Sequence, residues 1–334
     1  MKPAGAIRIE SPARLHLGFI DLNGDLGRCF GSLGLALADL GTRVRAEPAA
    51  EFRVSGIETA RAARYAEAVI AAFDLPPQLH LTVEHAVPAH AGLGSGTQLA
   101  LAVGGAIAAL AGREASAAEL AAMTGRGVRS GIGIAAFEQG GFLVDGGRGA
   151  ASVVPPLLVR MAFPEHWRVV LVFDRAGDGL NGTAEAAAFR TLPALSAAAA
   201  GELARLTLVG LLPALAEQDF APFARCLGRV QALVGDYFAP AQGGSRYTSR
   251  RVGKAVHWAA REFGLEGTGQ SSWGPTGFLF AASAEQAIAV QRALAARHAG
   301  EPDLAFEVCA ARNHGAGVMR LARMKQTHAV GALE

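Results

Sequence analysis

Lysine is almost missing from this 334-residue chain; it occurs only at 2, 254 and 325, and the remaining Lys/Arg positions are all arginine. That scarcity excludes a phosphate loop of the GK[ST] kind, which needs a lysine beside its glycines. It leaves any grip on phosphate or carboxylate to guanidinium forks, which suit planar, bidentate recognition. A composition rich in Ala, Gly and Arg throughout explains the same bias without a ligand. Cysteine is equally scarce. Cys29, Cys226 and Cys309 lie far apart and in no CxxC pattern. A disulfide framework and a thiolate zinc site are unsupported by that spacing, and reduced cysteines in a cytoplasmic protein are expected. The net charge of +2 implies no strong field for nucleic acid. The opening MKPAGAIRIESPARLHLG has no apolar segment before its charges, so no signal peptide is expected.

Long apolar runs are also lacking. Residues 85–112 carry no Asp, Glu, Lys or Arg, but Pro88, Gly92, Gly94 and Gly96 confine any helix to about 97–110. That is too short to span a bilayer, and no membrane role is expected. A helix apolar on all sides in a globular protein is a buried one.

What is present points to two α/β units. The length suits two domains, read as 1–155 and 156–334. Alternation in AIRIESPARLHLGFIDL and RVRAEPAAEFRVSG predicts short strands joined by a long Gly-rich loop. A helix is predicted over 59–73, with Ala62, Tyr65, Ala66, Val69 and Phe73 on one face. QLHLTVEHAVP reads as a strand, SAAELAAMTGRG as a short helix, and GGFLVDGG as a strand edge. VVPPLL reads as a linker and WRVVLVFD as a buried strand. Helices follow at about 183–192, 196–216, 219–235, 249–263 and 284–298, the last flanked by the strands TGFLFAAS and LAFEVCAA.

The chemistry centres on PAHAGLGSGTQLA, residues 88–100. Glycines permit positive φ and close approach of backbone to a ligand. Successive N–H groups in such a turn make an anion nest, and a helix N-terminus adds its positive dipole end. Ser95 and Thr97 supply hydroxyls. The bland alternative is a strand–helix turn with a serine N-cap.

The pattern PxxxGLGSxxxxA in this stretch resembles the phosphate loop of the GHMP kinase superfamily. SPARLHLGFIDLNGD at 11–25 resembles its N-terminal motif, and GLEGTGQSSWGPTGF at 264–278 its third, Gly-rich motif. The resemblance implies an α/β (α+β), two-domain GHMP-kinase-like fold with the active site between the domains. It also implies a left-handed β-α-β unit in the N-terminal domain, against the usual right-handed rule, and a C-terminal α/β sandwich.

One departure matters. Many of these kinases carry Ser-Gly-hydrophobic-Asp ahead of a Gly-Gly pair. RSGIGIAAFEQGG at 129–141 keeps Ser130, Gly131, Ile132 and Gly140–Gly141 but has Gly133 at the Asp position. Glycine can accept no proton. Residues 11–37 and 126–148 together resemble instead the β-ribofuranosylaminobenzene 5′-phosphate synthases, GHMP-type enzymes that are not kinases. That resemblance implies phosphoribosyl diphosphate and 4-aminobenzoate, or 4-hydroxybenzoate, as small-molecule substrates. Diphosphate and CO₂ would be released, in methanopterin biosynthesis.

Carried onto this chain, the resemblance implies that Gly92, Leu93, Gly94, Ser95, Gly96 and Thr97 hold the diphosphate. Arg14, Arg28, Arg126, Arg129 and Arg148 are candidate anion clamps, with a solvated surface charge the alternative for each. Arg14, His16, Asp21 and Asp145 are the candidate catalytic groups. Asp21 and Asp145, with Asp25 nearby, are candidate ligands for Mg²⁺, which prefers carboxylate and phosphate oxygens; turn capping is the alternative. His16 stands where the kinases carry Asn, and a satisfied core histidine is its alternative. Ser32, Gln270, Ser271, Ser272 and Trp273 are candidate substrate contacts, Trp273 by stacking on the aromatic ring or else as a buried interdomain indole. Arg246 and Tyr247 are weaker candidates. A homodimer is compatible with all of this. Two further readings stay open: a kinase whose acid/base carboxylate is Asp21 or Asp145, and a sensor that binds without turnover.

Overall fold

The computed structural model describes residues 5–177 and 182–322. Its first sheet is founded on two long antiparallel strands, β1 (Ala6–Asp21) and β2 (Arg28–Pro48). The expected short strands and Gly-rich loop are therefore replaced by a hairpin. Gly24 and Gly27 make its turn, with φ of 83° and 76°, while Gly34 and Gly41 lie within β2 and serve close packing instead. A Cβ on Gly34 would lie 2.0 Å from Ile132 Cγ2, and one on Gly41 would lie 2.5 Å from the Ser11 carbonyl. β3 (Arg53–Gly56), α1 (Thr59–Ala72) and β4 (Leu79–His85) form a β-α-β unit whose strands pair in parallel. Ala62, Tyr65, Ala66 and Val69 are its buried stripe, as the periodicity predicts.

α2 (Ser95–Leu110) is buried on nearly all sides, which is why its sequence lacks charge. α3 (Ala117–Met123) starts with a full capping box between Ser116 and Glu119. α4 (Ile132–Glu138) follows, then β5 (Phe142–Asp145), β6 (Arg148–Gly149) and β7 (Leu157–Met161). β5 is no edge: it lies between β2 and β7, with all four residues buried.

The second sheet contains β8 (Arg168–Asp174), followed in the chain by α5 (Gly182–Thr191), α6 (Ala197–Leu206), α7 (Leu212–Ala216), α8 (Phe220–Phe238) and α9 (Arg250–Phe263). β9 (Thr268–Gln270), β10 (Gly277–Ala281), α10 (Ala284–Arg297) and β11 (Leu304–Cys309) complete it, in the antiparallel order β11-β8-β10-β9. The last strand, β12 (Gly317–Leu321), returns to pair with β1 in the first sheet. β7 and β12 therefore carry the first sheet past residue 155, into what reads as linker and second domain. One apolar cluster joins the halves: Leu15, Leu17 and Phe142 pack in it with Phe223, Leu227 and Phe278. The three cysteines are free thiols.

Candidate active site

Three distant segments meet at the glycine loop. Gly92 and Gly94 have φ of 77° and 82°, the left-handed region that glycine enters without strain. Gly94 is the N-cap of α2 and no side chain caps the helix. The serine N-cap alternative is thereby overturned, because Ser95 is already the first helical residue. The first-turn N–H groups of a helix have no intrahelical acceptor, so these are left for a ligand. Arg14 on β1 donates from Nη1 to the Gly92 carbonyl at 2.6 Å and from its backbone to the Leu93 carbonyl at 3.0 Å. The third motif closes the other side. Ser271 Oγ donates to the same Gly92 carbonyl at 2.7 Å and accepts from His16 N at 3.0 Å, and Ser272 N donates to the His16 carbonyl at 3.3 Å. Two absent side chains make room for guanidiniums. A Cβ on Gly94 would meet Arg14 Cγ at 3.0 Å, and one on Gly96 would meet Arg126 Nη2 at 2.9 Å.

The cleft these segments enclose has a volume of about 570 Å³. Arg14, His16, the loop residues Gly92, Gly94, Ser95, Gly96 and Thr97, Arg126, Arg129, Ser272 and Trp273 all line it. Arg61 and Arg64 of α1 and His90 also line it and escape the sequence reading. Their signal was weak: two arginines three residues apart, flanking the buried stripe of a helix well before the loop.

His16 is 3% exposed, and its Nε2 is buried without a hydrogen-bond partner. Burial, then the charges of Arg14 and Arg129, pull its imidazole down to about 3, so it is neutral at pH 7. Arg129 lies over the Phe189 ring at 5.3 Å. Trp273 is 2% exposed and packs on Phe238 with centroids 4.3 Å apart. It is the buried interdomain indole, though it forms part of the cleft wall.

Several candidates lie elsewhere. The Leu93 side chain is fully buried and only anchors the loop. Gln270 bonds to Thr248 N, Gln242 and the Ser272 carbonyl, and Ser271 to Gly92 and His16; both position the wall without lining the cleft. Arg28 donates to the carbonyls of Gly146 and Gly147, and Arg148 to that of Val128. Arg246 is paired with Asp236 at 2.5 and 2.8 Å, and Tyr247 is buried, its hydroxyl pushed up to about 12. Ser32 is buried, its N–H on Asp145.

The carboxylates are turn caps. Asp21 Oδ1 accepts from the N–H groups of Asn23 and Gly24. Asp145 is fully buried; Oδ1 accepts from Ser32 N and Gly147 N, and Oδ2 from Gly131 N and Ser130 Oγ. Burial raises its carboxyl above the ordinary range, and these donors oppose the rise. Neither aspartate lines the cleft, so neither supplies a kinase-type acid/base group in this structure. Neither is placed to hold a magnesium ion directly against a ligand in the cleft. Among the described residues no Asp or Glu lines the cleft, and no three His, Cys, Asp or Glu side chains converge.

With this geometry established, the likenesses to known proteins fall into place. The chain matches the family model described as GHMP kinases N terminal domain over residues 59–141 and that described as GHMP kinases C terminal over 211–300. It is 32% identical to the beta-ribofuranosylphenol 5′-phosphate synthase of Methanothermobacter thermautotrophicus over 246 residues, covering 67% of this chain and 74% of that protein. The enzyme of the same name from Archaeoglobus fulgidus is 34% identical over 239 residues, covering 68% and 76%. The chain belongs to this synthase family of the GHMP kinase superfamily. A homoserine kinase from Cytophaga hutchinsonii superposes with a TM-score of 0.68 at 16% identity, covering 94% of this chain and 97% of that one, a likeness of fold alone. Within the synthase family the cationic, carboxylate-poor cleft makes chemical sense, as does Gly133. A Cβ on Gly133 would lie 3.0 Å from Thr97 Cγ2, and its carbonyl accepts from Gln98 Nε2 at 2.7 Å. The position that holds the acid/base group in the kinases is here pressed under the phosphate loop.

Proposed function

We propose that the protein transfers the phosphoribosyl group of 5-phosphoribosyl 1-diphosphate to a para-substituted benzoate, 4-aminobenzoate or 4-hydroxybenzoate, with loss of CO₂ and diphosphate. The observation that carries this is the make-up of the cleft: an uncapped helix N-terminus, five arginines, and no carboxylate among the described lining residues. Such a site favours an anionic donor and a leaving anion; it offers no base for activating an alcohol.

The electron flow balances within the substrates. The bond from ribose C1 to the diphosphate oxygen breaks, and the leaving group takes the electron pair. The ring carbon that bears the carboxylate bonds to C1. Its bond to the carboxyl carbon then breaks, the pair returns to the ring, and CO₂ departs. The loop amides with Arg14 would stabilise charge growing on the diphosphate, the kind of fixed electrostatic help that dominates many enzymes. Neutral His16 offers Nε2 to a hydroxyl or amine of either substrate without adding a cation beside the developing oxocarbenium centre. The relatives' name specifies a phenol product, which favours the hydroxybenzoate. A place in methanopterin biosynthesis rests on the same family membership.

The test supplies carboxyl-labelled 4-aminobenzoate or 4-hydroxybenzoate with phosphoribosyl diphosphate and counts released CO₂. Release that needs both substrates, and that Thr97→Val with Ser95→Ala abolishes, is expected. Absence of release alongside alcohol-dependent ADP formation from ATP would replace this reading by the kinase.

A further inference from the structure

The cleft has two different ends. His16, Phe19, Ser272 and Trp273 also line an adjoining pocket floored by Phe238. At the other end Arg64 and Arg126 continue into a cavity of about 230 Å³ bounded by Tyr65, Ala68, Met123 and Thr124. The first end is aromatic, with Arg129 over Phe189 and the Asp236-paired Arg246 beside it; the second carries Arg61, Arg64 and Arg126. The glycine loop lies between, with Arg14 against Gly94 and Arg126 against Gly96.

The arginine end is charged beyond what its own partners neutralise. Arg61 pairs with Glu58 at 3.1 Å, and Arg64 has no acidic partner among the described residues. Arg126 donates from Nη2 to the Tyr65 hydroxyl, its guanidinium is 5.2 Å from the Tyr65 ring centroid, and its Nε is buried with no partner. Burial, then repulsion from Arg61 and Arg64, draws Arg126 below its usual range. Three guanidiniums around one carboxylate, one of them part-buried, form a site completed by an added anion.

We propose that Arg61 and Arg64, together with Arg126, form a second anion subsite that takes the 5′-phosphate of the donor, separate from the loop that takes its diphosphate. The assignment rests on the transferase reading for the identity of the donor. It follows from the order of groups along the cleft. C1 must face the wall of the main cleft formed by Phe19 and Trp273, where an acceptor ring has room, with its leaving group on the loop. The phosphate on C5, across the ribose ring, then points to the arginine end. A donor with two separate anionic groups thus finds two separate cationic positions.

The test uses the double variant Arg61→Met/Arg64→Met, whose side chains are exposed or only part-buried, so that the fold is retained. Calorimetric titrations with ribose 5-phosphate and with inorganic diphosphate read the two subsites independently of turnover. Losing charge-assisted hydrogen bonds should weaken ribose 5-phosphate binding by about tenfold or more and leave diphosphate within about twofold. The KM for phosphoribosyl diphosphate should rise with the former, while the KM for the aromatic acid stays unchanged. Arg225→Met, which removes one such charge from the exposed face of α8, should change binding of neither ligand. Unchanged ribose 5-phosphate binding, or equal weakening of both anions, would overturn the assignment. If the wild-type protein releases no CO₂ yet binds ribose 5-phosphate in this Arg-dependent way, the subsite stands and the transferase reading falls.

Discussion

At the scale of single residues, His16 is the most constrained group in the cleft. Its backbone is bonded on both sides to the third motif, through Ser271 Oγ and Ser272 N, so the ring cannot swing to water. Ser272 supports this with a left-handed backbone, φ 55°, uncommon outside glycine. The imidazole is held at about 3, below its ordinary 6.5. The unfolded chain therefore takes up this proton first as pH falls. The native state is at no disadvantage above about pH 6.5, and stability is lost as pH drops from there toward 3. The slope from this one group is up to about 1.4 kcal/mol per pH unit. Urea midpoints measured from pH 7 to pH 5 should fall, and His16→Asn should flatten that fall. The pH profile of kcat/KM should likewise show no limb from this imidazole between pH 5 and 8. A wild-type midpoint as flat as the variant's would mean that the ring is charged, and its role as a neutral hydrogen-bond partner would be lost.

At the scale of elements, Asp145 ends β5 and ties two turns to strand β2 through four donors. One of those turns is 128–131, which carries Arg129 and Ser130 into the cleft wall. Replacing one carboxylate oxygen by an amide NH2, in Asp145→Asn, turns a donor toward donors. The buried mismatch should cost about 1–3 kcal/mol. A lowered melting temperature and a raised KM for the donor are expected, with activity no more dependent on magnesium than in the parent. A variant as stable as the parent whose magnesium requirement rises sharply would instead make Asp145 a metal ligand. This residue also shows where the sequence was legible and where it was not. VDGG reads equally as a metal site or a turn, because only the positions of Ser32, Gly131 and Gly147 decide which donors reach the carboxylate. Periodicity located α1, α2 and the strand β4 because burial imposes it. The glycine loop was legible because its chemistry is local. Arg61 and Arg64 were not, because nothing within α1 says that its flank faces a loop more than thirty residues later. The glycines of β2 misled for the same reason: Gly34 looks like a turn residue until Ile132 is found against it.

At the scale of the whole molecule, the boundary suggested by composition near 155 is not a boundary of packing. β7 adds to β5, β12 adds to β1, and the shared apolar cluster runs from Leu15 and Phe142 to Phe223 and Phe278. Domains joined by small polar interfaces move and unfold separately, whereas a common apolar core couples them. The site depends on that coupling, since Arg14 and His16 come from β1 while Ser271 and Ser272 come from the loop after β9. Urea unfolding followed by Trp fluorescence and by far-UV circular dichroism should therefore give one coincident transition. All three tryptophans, at 167, 258 and 273, lie in the second half, so fluorescence reports that half and circular dichroism reports both. A fragment of residues 1–155 should fail to fold, having lost both added strands and half of the apolar cluster. Extending it to 161 should not rescue it, because β1 would still lack β12 and its packing against α8. Two separated transitions, or a fragment 1–155 that folds and binds inorganic diphosphate on its own, would show that the halves are independent and that the third motif is not needed to shape the loop. The single coincident transition is favoured by the two hydrogen bonds that meet at the Gly92 carbonyl, one from each half: Arg14 Nη1 and Ser271 Oγ hold one oxygen of the phosphate loop between them.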